Sequence, residues 1–458
     1  MRNSYLYITL LTMLGFSAKA TAQAVAQAPR LVVCISIDQL RTDHLELFSP
    51  LYGPDGLKRM MTQGTVYNNA SYSFMPVDYA SAAASLATGS TPYYHGVTGK
   101  EWLDRNTLRP VHAVSQPQQN YTAQQLSTST LGDEIKMATN GVAKVFAFAS
   151  HAESAILSAG HAADGAAWIS GSKWQTTDYY APVNQWLSGY TRLYPPTADT
   201  NKSLTEIAVR CCEQAGIGLD ERPDLLHITY CLKPTMESYV AMDRTIAELI
   251  EGIARQIPLE RVLFVLTSTG TPEEENEQNN NERYRIPTGK FNISRTASLL
   301  NIYLGAIYGS EQYIEAVYGN QLFLNHKLIE KKNIILGDML RRAQEFLLLI
   351  SGVRNAYTAN QLITSDSYRI ERIRNGFNVD KCGDLLIEIM PGWQIINDET
   401  HTSKTSRASN VPFPIIFFGA SVPSKRIETP VTIDHVAPTV ARAIRIRAPN
   451  ACSAEPLF

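Results

Sequence analysis

The stretch "RLVVCISID", residues 30 to 38, is a nearly continuous apolar run that ends in an aspartate. Runs of the same kind recur at residues 142–150, 224–231, 261–270, 384–393 and 412–419. Unbroken apolar character is typical of strands that are covered on both faces. Helical apolar spacing lies between them, as at 237–256 and 338–349. The pattern predicts an α/β fold with a doubly wound, mostly parallel central sheet flanked by helices, and ligands beyond the carboxyl ends of the strands.

Composition excludes several classes of protein. The 458 residues are 44% hydrophobic and 18% charged, with a formal net charge of -2, so no basic surface for nucleic acid is expected. Six cysteines are too few to build a disulfide scaffold in a chain of this length, and no C-x-x-C motif indicates zinc. Cys34 lies inside the first apolar run and is interpreted as a small buried hydrophobe.

The N-terminus has the pattern of a signal peptide over residues 1–22. Arg2 precedes an apolar run at 6–16, and small residues follow, including Ala18, Ala20 and Ala22. The apolar run is shorter than the roughly 20 residues of a membrane-spanning helix. We therefore expect an exported, periplasmic or secreted protein without a transmembrane span.

Two further segments bear on the domain organisation. Residues 288–380 carry helical patterns and few strand runs, which predicts an inserted cap subdomain within a single domain at 29–458. The acidic, asparagine-rich stretch 271–287 is interpreted as a surface loop.

Three stretches near the N-terminus carry a family resemblance: "CISIDQLRTDHLELF" (34–48), "GLKRMMTQGTVYNNASYSFMP" (56–76) and "TGSTPYYHGVTGKEWLD" (88–104). They resemble the alkaline phosphatase superfamily, specifically the PafA-type periplasmic phosphatases and their type I phosphodiesterase relatives. The likeness continues in the same order over nearly the whole chain, which implies an alkaline-phosphatase-like fold. It also implies, for active members, two zinc ions and a Thr or Ser nucleophile at a helix N-terminus.

Most family site positions hold other residues here. Asp38 is the one metal ligand that the resemblance carries over, and Tyr79 stands at the nucleophile position. We expect the Tyr79 ring to pack in the space that metals and phosphate fill in active relatives. Asp78 beside it is a plausible N-cap, which would place a carboxylate where the helix amides should receive phosphate.

The remaining metal positions are also changed. Ser268 and Thr269 stand where the family has an Asp-His pair, and Asn410 replaces a histidine. The segment that would carry Asp-x-x-x-His after the run at 224–231 is missing. Since neutral hydroxyls hold zinc poorly, we predict that the two zinc ions are lost and that the protein has no cofactor.

The groups that hold phosphate in the family are replaced as well. The resemblance aligns Lys100, His151 and Glu153 with a family Asn, Lys and Arg. An acidic residue in place of a cation inverts the field at an anion site.

The sequence leaves three hypotheses about function. The first is an exported pseudoenzyme with a binding or structural role in the cell envelope, whose partner is an unknown envelope protein, glycan or small ligand and not nucleic acid. The second is a hydrolase of phosphate or sulfate esters with a rewired, metal-free site made of Tyr79, His151, Glu153 and Lys100. The third is a zinc phosphatase hidden by a shifted alignment, and the lack of any central Asp-His pair argues against it.

Overall fold

The computed structural model describes residues 27–116, 120–180, 184–270, 288–365, 367–398, 402–405, 411–420 and 422–458. The predicted signal peptide, the predicted loop 271–287 and Asn410 lie outside these ranges. Within the described ranges, no helix combines the length and the apolar character that crossing a membrane requires.

The helices are named in chain order. They are α1 (Thr42–Leu47), α2 (Leu57–Gln63), α3 (Tyr79–Thr88), α4 (Pro92–His95), α5 (Leu131–Ala138), α6 (Ala152–Ala159), α7 (Gln185–Leu193), α8 (Thr200–Gln214), α9 (Met236–Ala254), α10 (Ile293–Tyr308), α11 (His326–Lys331), α12 (Leu336–Leu347), α13 (Ala359–Thr364), α14 (Tyr368–Asn375) and α15 (Val436–Ala443). The patterns at 237–256 and 338–349 correspond to α9 and α12.

The strands are named in the same way. They are β1 (Leu31–Ile37), β2 (Thr65–Ser71), β3 (Glu101–Leu103), β4 (Pro110–His112), β5 (Ser115–Gln116), β6 (Asn120–Tyr121), β7 (Val145–Ala149), β8 (Gly165–Ser170), β9 (Lys173–Thr176), β10 (Asp224–Tyr230), β11 (Val262–Ser268), β12 (Lys290–Asn292), β13 (Ile314–Tyr318), β14 (Gln321–Leu324), β15 (Val353–Thr358), β16 (Leu385–Ile389), β17 (Gln394–Asn397), β18 (Thr402–Thr405), β19 (Phe413–Gly419), β20 (Lys425–Ile427) and β21 (Val431–Thr432).

A ten-stranded sheet forms the centre of the molecule, in the order β20-β2-β19-β11-β1-β10-β7-β8-β9 with β21 beside β2. The five strands from β11 to β8 run parallel to one another, while β19 is antiparallel to β11 and β9 is antiparallel to β8. In the register of the central strands, Ile37 of β1 pairs with Tyr230 on one side and with Ser268 on the other. The predicted mostly parallel α/β fold is confirmed.

Helices cover both faces of this sheet, and β1 shows why its sequence is apolar throughout. All seven of its residues are buried. Leu31, Val33, Ile35 and Ile37 belong to the core cluster that includes residues of α8 and α9, whereas Cys34 belongs to the opposite cluster. Cys34 is 3% exposed, so its interpretation as a buried hydrophobe is confirmed.

The strands from β12 to β18 build two smaller sheets, β12-β17-β18 and β13-β14-β16-β15, around a hydrophobic core of their own. The apolar run 384–393, grouped above with the central strands, forms β16 of the second small sheet, so that assignment was wrong. A continuous apolar run indicates that a strand is covered on both faces, but it does not indicate which sheet the strand joins.

Helix α14 connects this part of the chain to the loop between β2 and α3. The Arg372 guanidinium donates to the Tyr72 carbonyl at 3.1 Å, and the Asn375 amide donates to the Ser73 carbonyl at 3.0 Å. The Met75 amide donates to the Arg372 carbonyl at 3.0 Å. These bonds fix the loop that leads into the helix carrying Tyr79.

Candidate functional site

The central strands bring the predicted site residues to one edge of the sheet. Asp38 directly follows β1, and its amide donates to the Tyr230 carbonyl at the end of β10 at 2.9 Å. Thr269 directly follows β11, and its amide donates to the Ile37 carbonyl at 3.3 Å. Asp38, Ser268 and Thr269 are all at most 3% exposed.

The end of β11 has hydroxyl and aromatic groups at the positions where the family resemblance places an Asp-His pair. The Ser268 hydroxyl accepts from the Gly270 amide at 3.0 Å, and the Ser268 carbonyl accepts from the buried Tyr72 hydroxyl at 2.9 Å. Gly270 has a φ of +67°, and a Cβ there would lie 2.6 Å from the Tyr72 ring. Burial raises the pKa of Tyr72 well above its usual range. Sequence reasoning missed this tyrosine, because nothing in its local pattern distinguishes it from other core aromatics.

The N-terminus of α3 is occupied by a carboxylate of the chain itself. Asp78 is its N-cap, as its position predicted: Oδ1 accepts from the Ser81 amide at 2.9 Å in a capping box. The other oxygen, Oδ2, accepts from the Lys100 amide at 2.6 Å. An anionic ligand at this helix end would have to displace or approach a carboxylate.

Tyr79 is the first residue of α3, and its ring stacks on the imidazole of His151. The ring centroids are 4.6 Å apart and the planes are inclined by 29°. The Tyr79 side chain is half-buried. His151, at the start of α6, supplies the flat face on which the tyrosine ring packs.

His151 connects the tyrosine to the strand edge. It occupies the N-cap position of α6, and its Nε2 lies 3.8 Å from Asp38 Oδ2. Burial lowers the pKa of His151; the negative charge of Glu153 opposes this effect, and the positive charge of Lys100 adds to it. Burial thus favours the neutral imidazole.

Lys100 and Glu153 form an ion pair with a separation of 3.6 Å between Nζ and Oε1. The Lys100 side chain is 66% exposed, whereas that of Glu153 is 14% exposed. The carboxylate is therefore held against the site while the cation extends toward solvent. With Asp38 and Asp78 close by, the surroundings are acidic.

The residues present do not fit a pair of zinc ions. Two adjacent ions need several carboxylate and imidazole ligands between them. At the ends of β1 and β11 the donors are one carboxylate, of Asp38, and two neutral hydroxyls, of Ser268 and Thr269.

A different set of metal-ligating atoms does converge. Within the described residues, one group of three potential ligands has all its ligand atoms within 4.8 Å of one another: Asp38, His151 and Cys231. Sequence reasoning missed Cys231, although it directly follows β10 just as Asp38 follows β1. The rule that sites form beyond the carboxyl ends of parallel strands could have identified it.

Two other histidines have structural partners. His95 is fully buried; its Nδ1 accepts from the Val97 amide at 3.1 Å, so Nε2 carries the proton that it shares with the Ser85 hydroxyl at 2.9 Å. His161 Nδ1 lies 2.8 Å from Asp133 Oδ2. Both imidazoles therefore have hydrogen-bonding roles within the fold.

Comparison with known proteins places these residues in a family context. The family model described as "Type I phosphodiesterase / nucleotide pyrophosphatase" matches residues 32–411. The alkaline phosphatase PafA of Elizabethkingia meningoseptica is 23% identical, over 98% of both chains. A protein of Myroides odoratus named calcium-transporting ATPase is 23% identical, over 95% of both chains.

Solved structures show the same fold. The crystal structure of wild-type PafA superposes with a TM-score of 0.81 and 20% identity, covering 95% of this chain and 99% of that one. Murine ectonucleotide pyrophosphatase / phosphodiesterase 5 gives a TM-score of 0.56 and 10% identity, covering 91% of this chain and 95% of that one. The chain therefore belongs to the type I phosphodiesterase / nucleotide pyrophosphatase family, within the alkaline phosphatase superfamily.

Proposed function

We propose that this protein is an exported member of the family that does not transfer phosphoryl groups and has a binding or structural role in the cell envelope. The observation that carries the proposal is the occupation of the α3 N-terminus by Asp78, whose two oxygens accept from the amides of Ser81 and Lys100. A phosphoryl group that reached Tyr79 would meet this carboxylate instead of free amide donors.

The charge around the helix end supports the same proposal. Glu153 is held mostly buried beside His151, at the position aligned with a family arginine. Stabilising a transferring phosphoryl group requires positive charge or metal ions at its oxygens. Here Lys100 is paired with Glu153. Among the described residues, the ends of β1 and β11 offer one carboxylate and two neutral hydroxyls, which do not suit a two-zinc clamp.

The second candidate is a metal-free hydrolase of phosphate or sulfate esters, and one observation favours it. Its four residues lie together: Tyr79 contacts His151, and Lys100 pairs with Glu153. General-base activation of a phenol needs the imidazole nitrogen to point at the phenol oxygen. In a face-to-face stack the nitrogen lone pair lies in the imidazole plane and points past the neighbouring ring, so the geometry favours a supporting contact over a proton transfer.

The partner in this proposal is an envelope protein, a glycan or a small ligand. The acidic character of the site disfavours phosphate and sulfate esters as that small ligand. A retained fold with an altered centre is consistent with a role carried by the surface of the molecule.

Binding of orthovanadate, which mimics the transition state of phosphoryl transfer, tests the proposal directly. Isothermal titration of the purified protein with inorganic phosphate and with vanadate is expected to show no saturable binding. Glu153→Gln removes the buried carboxylate while keeping its shape, and Glu213→Gln on the far helix α8 is the matched control. Saturable vanadate binding by the wild-type protein would overturn the proposal.

A further inference from the structure

Three side chains from three separate elements meet beside the start of α6. Asp38 and Cys231 follow β1 and β10, which are parallel neighbours whose last residues, Ile37 and Tyr230, are paired. His151 precedes α6 and faces Asp38, with 3.8 Å between Nε2 and Oδ2. Together with the Cys231 Sγ, the ligand atoms lie within 4.8 Å of one another.

The donor set is chemically specific. A carboxylate oxygen, an imidazole nitrogen and a thiolate sulfur suit a borderline-soft divalent ion such as Zn²⁺, whereas Mg²⁺ and Ca²⁺ prefer six or more oxygen ligands. With bond lengths of about 2.0 to 2.3 Å, tetrahedral ligands are separated by roughly 3.3 to 3.6 Å. The observed separations, all within 4.8 Å, exceed this by no more than about 1.5 Å, which side-chain rotation can supply.

We propose that Asp38, His151 and Cys231 bind a single divalent transition-metal ion of the zinc type. Three protein ligands leave a fourth coordination position for water or a ligand group. The site shares only Asp38 with the positions at which active relatives hold their two ions. It is a composite of one retained position and two side chains that come together in this fold.

The surroundings favour a cation over an anion. Asp38 is 3% exposed, so its charge is poorly screened by water. Glu153, in the first turn of the same helix that His151 precedes, adds negative charge. The Tyr79 ring stacks on the imidazole and restricts its rotation, as outer contacts commonly do for a metal-bound histidine.

This inference goes beyond the proposed function and does not depend on it. Ion binding and phosphoryl transfer are measured separately, so either one can fail while the other stands. A single ion at this site does not replace the pair of zinc ions that active relatives use. Asp78 also still occupies the N-terminus of α3.

Cobalt titration of the chelator-treated, full-length protein tests the site, because a thiolate bound to Co²⁺ gives a near-ultraviolet charge-transfer absorption that oxygen and nitrogen ligands do not give. We expect saturation at one ion per chain, displacement by Zn²⁺ and no displacement by Mg²⁺. Cys231→Ser should lose the charge-transfer band. Cys452→Ser, which alters another half-buried thiol in a different part of the fold, should keep it.

His151→Gln and Asp38→Asn complete the test through Zn²⁺ affinity. Each is expected to raise the Kd at least about tenfold, since even loss of an outer contact to a metal ligand has an effect of that size. His151 is partly exposed, so its variant keeps the test valid should the buried Asp38 variant fold poorly. Absence of saturable cobalt binding in the wild-type protein, or an unchanged charge-transfer band in Cys231→Ser, would overturn the proposal.

Discussion

The imidazole of His151 lies face to face with the phenol ring of Tyr79, with centroids 4.6 Å apart and planes inclined by 29°. Tyr79 occupies the position at which the family resemblance places a nucleophilic hydroxyl. Tyr79 presents the face of its ring to His151, and its hydroxyl oxygen is not aimed at the imidazole as at a general base. The pair therefore serves to orient His151 at the rim of the sheet edge.

Replacing Tyr79 by threonine restores the side chain expected at the nucleophile position. Because the donors at the ends of β1 and β11 do not fit a pair of zinc ions, Tyr79→Thr is expected to give no phosphate-ester turnover. Loss of the ring stack should lower the free energy of unfolding by about 1 kcal/mol, the size of an aromatic pair. Tyr79→Phe keeps the stack and should keep most of that stability. Urea unfolding of both variants checks this, and a loss of several kcal/mol in Tyr79→Thr would show that the ring is a core residue instead.

The cap of α3 offers a test of how the Asp78 carboxylate is used. Asp78→Ala removes acceptors for the Ser81 amide and for the Lys100 amide, and should lower the free energy of unfolding by about 1 to 2 kcal/mol. Asp199→Ala, at the N-cap of α8, is the matched control; its side chain accepts from the Lys202 amide at 3.0 Å. We expect the control to lose less in chemical denaturation, and an equal or larger loss there would contradict the added role of Asp78.

Buried histidines give the protein a defined acid sensitivity. Burial lowers the pKa of His227 in β10 to about 4, well below its unfolded value near 6.5. Between these values the unfolded chain binds more protons than the folded one, so stability falls as the pH drops through this window. For His227 the loss at pH 5 amounts to about 2 kcal/mol.

The variant His227→Leu removes this titration. The difference in the free energy of unfolding between pH 7 and pH 5, from urea unfolding, should shrink by about 2 kcal/mol relative to wild type. Ile228→Val, in the same buried strand, removes no titrating group; as the control it should leave the difference nearly unchanged. If His227→Leu shows the same acid loss as wild type, this histidine is not the titrating group.

The sequence predicted the fold well because buried parallel strands leave a direct mark on it. Five of the six apolar runs form strands of the central sheet, and the strand ends place Asp38 and Ser268 together as the register requires. Apolar continuity could not assign the run 384–393 to its sheet, because the small sheet of β16 is also covered by a helix layer.

The site was less predictable than the fold. Residues 38, 151 and 231 have no common local motif, so their convergence depends on strand order and on the start of α6. The stack of Tyr79 on His151 depends on side-chain rotamers, which no spacing rule supplies. The family resemblance identified which site residues differ from those of active relatives. The contacts that the different residues make with one another could be read only from the three-dimensional structure.

We infer that the altered site does not transfer phosphoryl groups. The most direct measurement is turnover of phosphate monoesters, phosphate diesters and sulfate esters by the purified protein with Zn²⁺ supplied, alongside Tyr79→Phe and the control Tyr94→Phe on the exposed side of α4. We expect no turnover above the buffer rate for any of the three proteins. Turnover by the wild type that is lost in Tyr79→Phe and retained in Tyr94→Phe would contradict this inference.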